Sequence, residues 1–140
     1  MAYIYYQKTI WLKENETFDF NELGNILARY FNERYNGKIS VEQQQKSITI
    51  SKKNWKYYLR FNDAHYVLAE NQEIFQFTTV LNPYQNEINP SFRIEAWGDD
   101  DPDMDYFNDT LNIEEFIAKE YDCIIYDPQA NQILEPMNNK

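Results

Sequence analysis

The feature that most constrains this chain is a pair of alternating apolar segments joined by a very short connection. In the first segment Ile48 and Ile50 alternate with polar residues, and in the second every other residue from Trp55 to Phe61 is aromatic or aliphatic. A period of two is typical of a strand with one buried face. Because only Lys52 to Asn54 separate the segments, we expect them to pair as a β-hairpin. With Ile39 to Glu42 before them, the sequence predicts an antiparallel meander.

Four further strands are predicted on either side of this meander. They cover residues 2 to 13, 92 to 97, 123 to 126 and the short pair 133 and 134. In the first of them Ile4, Tyr6, Ile10 and Leu12 fall on one parity, as expected for a strand with one buried face. In the second, apolar and polar residues alternate as far as Trp97, so this strand leads directly into the acidic residues that follow.

Three helices are predicted, over residues 19 to 37, about 71 to 82 and 112 to 121. The first and the third begin with a capping-box pattern, Asp19 with Glu22 and Asn112 with Glu115. The second has apolar residues at helical spacing and ends before Pro83, whereas residues 65 to 68 just before it fit an extended conformation.

The length and the order of these elements define the expected fold class. A chain of 140 residues can bury one core well but is short for two, so we expect a single domain over residues 1 to 140. Most neighbouring strands are joined by hairpins. The predicted class is therefore α+β, with an antiparallel or mixed sheet and about three helices packed mainly on one face.

The negative charge of the chain is concentrated in its C-terminal third. The net charge is −10, yet residues 1 to 93 hold 11 Lys and Arg against 10 Asp and Glu, whereas residues 94 to 140 hold 2 against 13. Nucleic acids and anionic membranes attract basic surfaces, so this asymmetry argues against both as partners. The complementary prediction is a basic partner.

A basic and aromatic segment lies within the predicted meander. Lys56, Tyr58 and Arg60 combine the residue types that bind single-stranded nucleic acid through phosphate contacts and stacking. They alternate with the apolar residues of the strand, however. The favoured interpretation is the solvated face of a sheet.

The acidic run from Asp99 to Asp109 allows two compatible interpretations. Asp101 followed by Pro102 is typical of an N-cap and first position of a helical turn, which describes a solvated and locally capped loop. The same run can dock on a basic partner, with carboxylates presenting charge and an aromatic residue acting as anchor. The expected partner-binding residues are Trp97, Asp99, Asp100, Asp101, Asp103, Asp105 and Tyr106.

Metal binding and catalysis receive little support from the motifs. Aspartates at 101, 103 and 105 match the start of an EF-hand loop, but Tyr106 stands where that loop needs glycine and Asn112 where it needs a bidentate glutamate. His65 is the only histidine, and its neighbours suggest a surface or helix-end position rather than a catalytic one. We expect no catalytic residue, no metal site and no cofactor.

We expect the chain to carry no targeting segment. Its N-terminus lacks a basic region followed by an apolar one, and no stretch approaches the roughly 20 apolar residues that span a bilayer. Cys123 is the single cysteine, which rules out an internal disulfide, and its apolar neighbours predict a buried strand thiol. A cytoplasmic location is expected.

The last third of the chain resembles a group of bacterial proteins. The segment from Asp99, DDDPDMDYFNDTLNIEEFIAKEYDCIIYDPQANQIL, combines an acidic loop, a short helix and a strand ending in YDPQ. In this it resembles the C-terminal part of small immunity proteins that neutralise the toxin domains of polymorphic and contact-dependent systems. The resemblance implies a small, cytoplasmic, acidic and non-enzymatic protein, and many such proteins block basic nuclease toxins by covering the active site or an adjacent surface.

Three functional hypotheses follow, in order of preference. The first is an immunity-type inhibitor that binds a cognate basic toxin through the surface around Trp97 to Tyr106. The second is an adaptor or regulatory domain that binds another protein or a small ligand. The third is a carboxylate-based enzyme or cation site that uses the aspartates.

Overall fold

The computed structural model of the chain describes residues 3 to 134. Its strands and helices follow one another as β1 (Tyr5–Leu12), α1 (Phe20–Tyr35), β2 (Ile39–Gln44), β3 (Ser47–Lys52), β4 (Trp55–Asn62), α2 (Val67–Phe77), β5 (Arg93–Gly98), α3 (Phe107–Glu120), β6 (Cys123–Asp127) and β7 (Gln132–Ile133). A 3₁₀ turn, Asn82–Tyr84, follows α2.

The seven strands found within residues 3 to 134 form one sheet. Their spatial order is β2, β3, β4, β5, β1, β6, β7, and every neighbouring pair is antiparallel. The meander predicted from the alternating segments is confirmed as β2, β3 and β4, and Ile48 lies opposite Leu59 in its ladder. The turn between β3 and β4 places Lys53 at φ 56°.

The two faces of the sheet are covered differently. Helices α1 and α3 pack on one face, the helical face, where their residues Leu27 and Ile117 join Ile10 and Leu59 in the main core. Helix α2 packs on the opposite face. There the ring of its Phe75 lies 4.6 Å from the ring of Trp11, measured between centroids. The predicted α+β class is thus confirmed, and of the three helices in the described part of the chain two lie on one face. We call the part of this second face that β2 to β5 form the open face. It carries the polar residues that alternate with the more buried residues of these strands.

A bulge interrupts β1 near its start. Tyr5 lies opposite Gly98 and Lys8 opposite Ala96, so β1 contains one residue more than β5 over this stretch, and Tyr6 has φ 58°. The extra residue reverses the parity of everything before it. The prediction that Ile4 shares a face with Ile10 is therefore wrong, because Ile4 lies exposed on the side of the open face.

The first helix begins where the sequence predicted, whereas the second begins earlier. In α1 Asp19 is the N-cap, its carboxylate accepting from the Asn21 N–H at 2.9 Å, as predicted. Helix α2 begins at Val67, earlier than predicted, so residues 67 and 68 are helical and not extended. Its buried stripe includes the polar Asn71, whose amide donates to the carbonyl of Pro90 at 2.8 Å, and this polar residue concealed the helical period.

Helix α3 begins at Phe107, five residues before the predicted start at Asn112. Asn112 is therefore not a cap but an internal residue, whose amide donates to the Tyr35 hydroxyl at 3.2 Å. The additional turn contains the buried Thr110 and is tied to β3 by Asp109, which pairs with Lys52 at 3.0 Å. Tertiary contacts, and not helix propensity, extend this helix toward the acidic residues.

A polar cluster lies beneath α3 in the main core. Glu114 is 2% exposed, accepts a hydrogen bond from the Tyr57 hydroxyl at 2.9 Å and lies 3.7 Å from the Lys8 ammonium. Its other carboxyl oxygen has no hydrogen-bond partner among the described residues. Burial raises the pKa of Glu114 to about 7, against the opposing effects of Lys8 and Tyr57.

Glu114 should make the stability of the protein depend on pH. Its folded pKa of about 7 exceeds the ordinary value of 4.5, so between these values the folded state holds a proton that the unfolded state releases. The free energy of unfolding should then fall, by up to roughly 3 kcal/mol, as the pH rises through this window. Glu114→Gln should flatten the slope in urea unfolding measured from about pH 5 to 8. The exposed variant Glu120→Gln should keep the wild-type slope, and an unchanged slope in Glu114→Gln would contradict the assignment.

Candidate functional site

The acidic residues form a short loop between β5 and α3, here called the acidic loop (residues 99 to 106). Its first residue is fixed to β4. The Asp99 carboxylate accepts from the Tyr58 hydroxyl at 2.8 Å and from the Lys56 N–H at 3.2 Å, and its carbonyl accepts from the Trp55 indole at 3.0 Å. The start of the loop is therefore anchored to three residues of β4, Trp55, Lys56 and Tyr58.

Asp101 fixes the middle of the acidic loop from inside. Its side chain is buried, at 4% exposure, and accepts from the Tyr6 hydroxyl at 2.5 Å, the Tyr106 N–H at 2.8 Å and the Asp105 N–H at 3.0 Å. Burial and this carboxylate raise the pKa of Tyr6, which keeps the hydroxyl protonated as a donor. The prediction that Asp101 is the N-cap of a helical turn is wrong, because its carboxylate accepts the N–H groups four and five residues ahead and not those two or three ahead, and no helix begins at Pro102. Its role is to brace the loop.

The remaining acidic residues of the loop face the solvent. Asp100, Asp103 and Asp105 are all exposed. Between them Met104 is 58% exposed and adopts a left-handed backbone conformation at φ 59°. An apolar side chain is thereby presented among three carboxylates, on a backbone that Asp101 holds in place.

An aromatic ridge lies beside the acidic loop and consists of Tyr3, Tyr5, Tyr6 and Phe107. Successive rings are 4.8, 6.0 and 6.3 Å apart between centroids. Tyr3 is 63% exposed and Phe107 is 38% exposed. Sequence reasoning did not select any of these residues, although the run of aromatic residues at the start of β1 was a visible signal.

The structure separates the two predicted aromatic anchors. Tyr106 stacks on Trp55 at 4.8 Å with the rings 2° from parallel, on the helical face. Trp97 lies on the open face, where it stacks on Tyr58 at 5.3 Å. The seven predicted residues therefore do not form one patch: Trp97 and Asp99 are joined through Tyr58, whereas Tyr106 belongs with Asp101.

Gly98, at the end of β5, leaves room for the aromatic rings of the helical face. A Cβ at Gly98 would lie 2.8 Å from a ring carbon of Trp55 and 3.1 Å from one of Tyr6. Without a side chain, the residue lets both rings close over the strand. The helical side of the acidic loop can then pack tightly while Trp97 points to the other face.

The basic residues of β3 and β4 are largely paired with acids. Lys52 contacts Asp109 at 3.0 Å, and Arg60 forms an ion pair with Glu95. Lys56 and Arg60 lie on the open face with Tyr58 between them, as the alternation predicted. These pairs neutralise much of the charge that phosphate contacts would need.

The residues considered for chemistry lie apart from one another. His65 is exposed just before α2, and Cys123 packs on the main core, where burial raises the pKa of its thiol to about 12. Within residues 3 to 134, no three His, Cys, Asp or Glu side chains are grouped so as to hold a metal ion. No helix in that part of the chain is long and apolar enough to cross a membrane.

Comparison of the chain with known protein families, curated proteins and solved structures gives no significant match.

Replacing Asp101 should loosen the acidic loop. Asp101→Ala leaves two backbone N–H groups and the Tyr6 hydroxyl without their acceptor, and should lower the free energy of unfolding by about 1 to 3 kcal/mol. Asp103→Ala, in the same loop but exposed, should change it by less than about 0.5 kcal/mol. Denaturant unfolding of the two variants measures the difference, and equal effects would show that Asp101 does not brace the loop.

Proposed function

We propose that this protein is a non-enzymatic, immunity-type inhibitor that acts in the cytoplasm by binding a basic bacterial toxin domain. Its binding surface consists of the acidic loop and the aromatic ridge. The observation that carries the proposal is the buried Asp101 carboxylate, whose three hydrogen bonds hold the loop in one conformation before any partner arrives.

Preorganisation matters because ordering a flexible loop on binding consumes part of the interaction energy. In the acidic loop the hydrogen bonds that fix the backbone form within the free protein, and they use Asp101 and much of Asp99 internally. The carboxylates left for the partner are Asp100, Asp103 and Asp105, which all face the solvent. Of the predicted binding residues, these three are best placed to meet basic side chains.

Charge favours approach of a basic partner over a long distance. Residues 94 to 140 carry 13 acidic and 2 basic residues, and the acidic loop stands within this part of the chain. A concentrated negative surface raises the association rate of a cationic protein and makes that rate depend on salt. Such steering suits an inhibitor, which must reach its toxin before the toxin acts.

A partner stays bound to this surface only if apolar contacts add to the attraction between charges. Met104 is exposed in the loop, and Phe107 and Tyr3 are exposed beside it. Aromatic residues are enriched among those that dominate binding energy. Tyr106 contributes indirectly, because its ring is stacked on Trp55 and supports the loop from the helical face. The proposed anchors are therefore the ridge and Met104.

The direct test uses the protein encoded next to this one, provided that it has a basic C-terminal domain. That domain should bind this chain at low salt, and binding should suppress its toxicity when the two are produced together. A bound partner whose toxicity is unaffected would favour the adaptor alternative. Absence of binding to the neighbouring basic domain would contradict the proposal.

Removing the exposed loop charges should slow association with that domain. The triple variant Asp100→Asn, Asp103→Asn and Asp105→Asn should weaken binding by about tenfold, mainly through a slower association rate, and should reduce the dependence of this rate on salt. Surface plasmon resonance from about 50 to 300 mM salt measures both effects.

A matched control removes the same number of charges elsewhere. Glu14, Glu33 and Glu42 are exposed and lie outside the acidic loop, so Glu14→Gln, Glu33→Gln and Glu42→Gln combined should change the association rate much less. If the two triple variants lose affinity equally, net charge acts without a localised interface and the proposed surface is wrong.

A further inference from the structure

A groove borders the open face next to the acidic loop, between α2 and the strands β1 and β5. Its volume is about 470 Å³, within the range of sites that enclose small ligands or single large side chains. Ile4, Ile74 and Trp97 contribute apolar surfaces to it, and Thr9 also lines it. Of the residues that line this groove, only Trp97 was among the predicted binding residues.

The apolar walls come from three separate segments. The bulge in β1 turns Ile4 to this side of the sheet, where it is 45% exposed. Ile74 comes from α2, and Trp97 is held from behind by its stacking on Tyr58. An apolar side chain entering between them would contact all three segments.

Along the groove the ionic groups satisfy one another. Arg93 donates to Glu70 at 2.8 Å, to Glu95 at 2.9 Å and to the Asn71 amide oxygen at 3.0 Å, while Glu95 also pairs with Arg60. The two arginines and two glutamates sum to zero charge. This part of the groove therefore offers a fixed and nearly neutral wall.

The end of the groove at Trp97 is different, because it meets the acidic loop. Tyr58, which stacks on Trp97, donates its hydroxyl to Asp99, and the exposed Asp100 follows in the chain. A ligand lying in the groove would pass from an apolar and neutral region to an acidic one. The complementary ligand carries an apolar side chain followed by a cationic one.

We propose that this groove binds an extended segment of the same basic partner, placing an aromatic or large aliphatic side chain between Ile4, Ile74 and Trp97 and an adjacent Lys or Arg against the exposed Asp100. The inference rests on the proposed function, which supplies the partner. It adds a second contact on the open face and names the sequence pattern that the contact recognises.

The test begins with a short probe in place of the partner. The capped pentapeptide Lys-Lys-Phe-Lys-Lys is titrated into isotopically labelled protein and followed by NMR. The indole N–H of Trp97 and the methyl groups of Ile74 should shift, whereas the buried indole of Trp11, at 1% exposure, should not. Replacing Phe by Ala in the peptide should weaken binding by at least about tenfold, and replacing Lys by Glu should abolish it.

Variants of the protein separate the groove from the acidic loop. Ile74→Ala should weaken peptide binding at least about fivefold, because it removes one wall, while Leu68→Ala, exposed on α2 and outside the groove lining, should leave it unchanged. If peptide shifts appear at Met104 and Tyr106 but not at Trp97 and Ile74, the groove is not the site.

The full partner distinguishes failure of this inference from failure of the proposed function. If Ile74→Ala binds the toxin domain as tightly as the wild type while the acidic-loop triple variant does not, the groove inference is overturned and the proposed function stands. If the wild type binds no toxin domain, the proposed function fails, and the inference fails with it because it has lost its partner. Loss of affinity in both variants supports the two together.

Discussion

Three donors from two parts of the chain converge on the buried carboxylate of Asp101: the hydroxyl of Tyr6 at the bulge in β1, and the backbone N–H groups of Asp105 and Tyr106 just before α3. A carboxylate buried in this way is stable only while it is fully hydrogen-bonded, so the bulge and the loop stabilise each other. The positive φ of Tyr6, unfavourable for a residue with a side chain, is retained where its hydroxyl reaches Asp101. The exposed shape of the acidic loop follows from this internal arrangement.

The end of the sheet at Gly98 borders two surfaces, the aromatic ridge on one face and the groove on the other. Gly98 lets Trp55 and Tyr6 pack over the helical side of β5, while Trp97, one residue earlier, points to the open face because side chains of a strand alternate. Asp99 connects the sides, since its carboxylate binds Tyr58 beneath Trp97 and its carbonyl binds the indole of Trp55. A partner that reached around the acidic loop could contact the ridge and the groove at once.

Local patterns predicted the fold well and the site incompletely. The period of two in β4 and the cap at Asp19 depend on neighbouring residues, and both are confirmed. The early start of α3 depends on Asp109 meeting Lys52, 57 positions away in sequence, which no local pattern records. Similarly, the seven aspartate and aromatic positions were selected for residue type, but whether a carboxylate is buried, as in Asp101, or exposed, as in Asp103, is decided by tertiary packing. The bulge that redirected Ile4 was equally invisible, because one inserted residue leaves the alternation on either side intact.

The acidic loop should be ordered before any partner binds, and amide hydrogen exchange of the free protein tests this directly. The N–H groups of Asp105 and Tyr106 donate to Asp101, so they should exchange at least about tenfold more slowly than those of Asp100 and Asp103, for which no acceptor is found among the described residues. If all four amides exchange at the rate of an unstructured peptide, Asp101 does not hold the loop, and a preformed binding surface is contradicted.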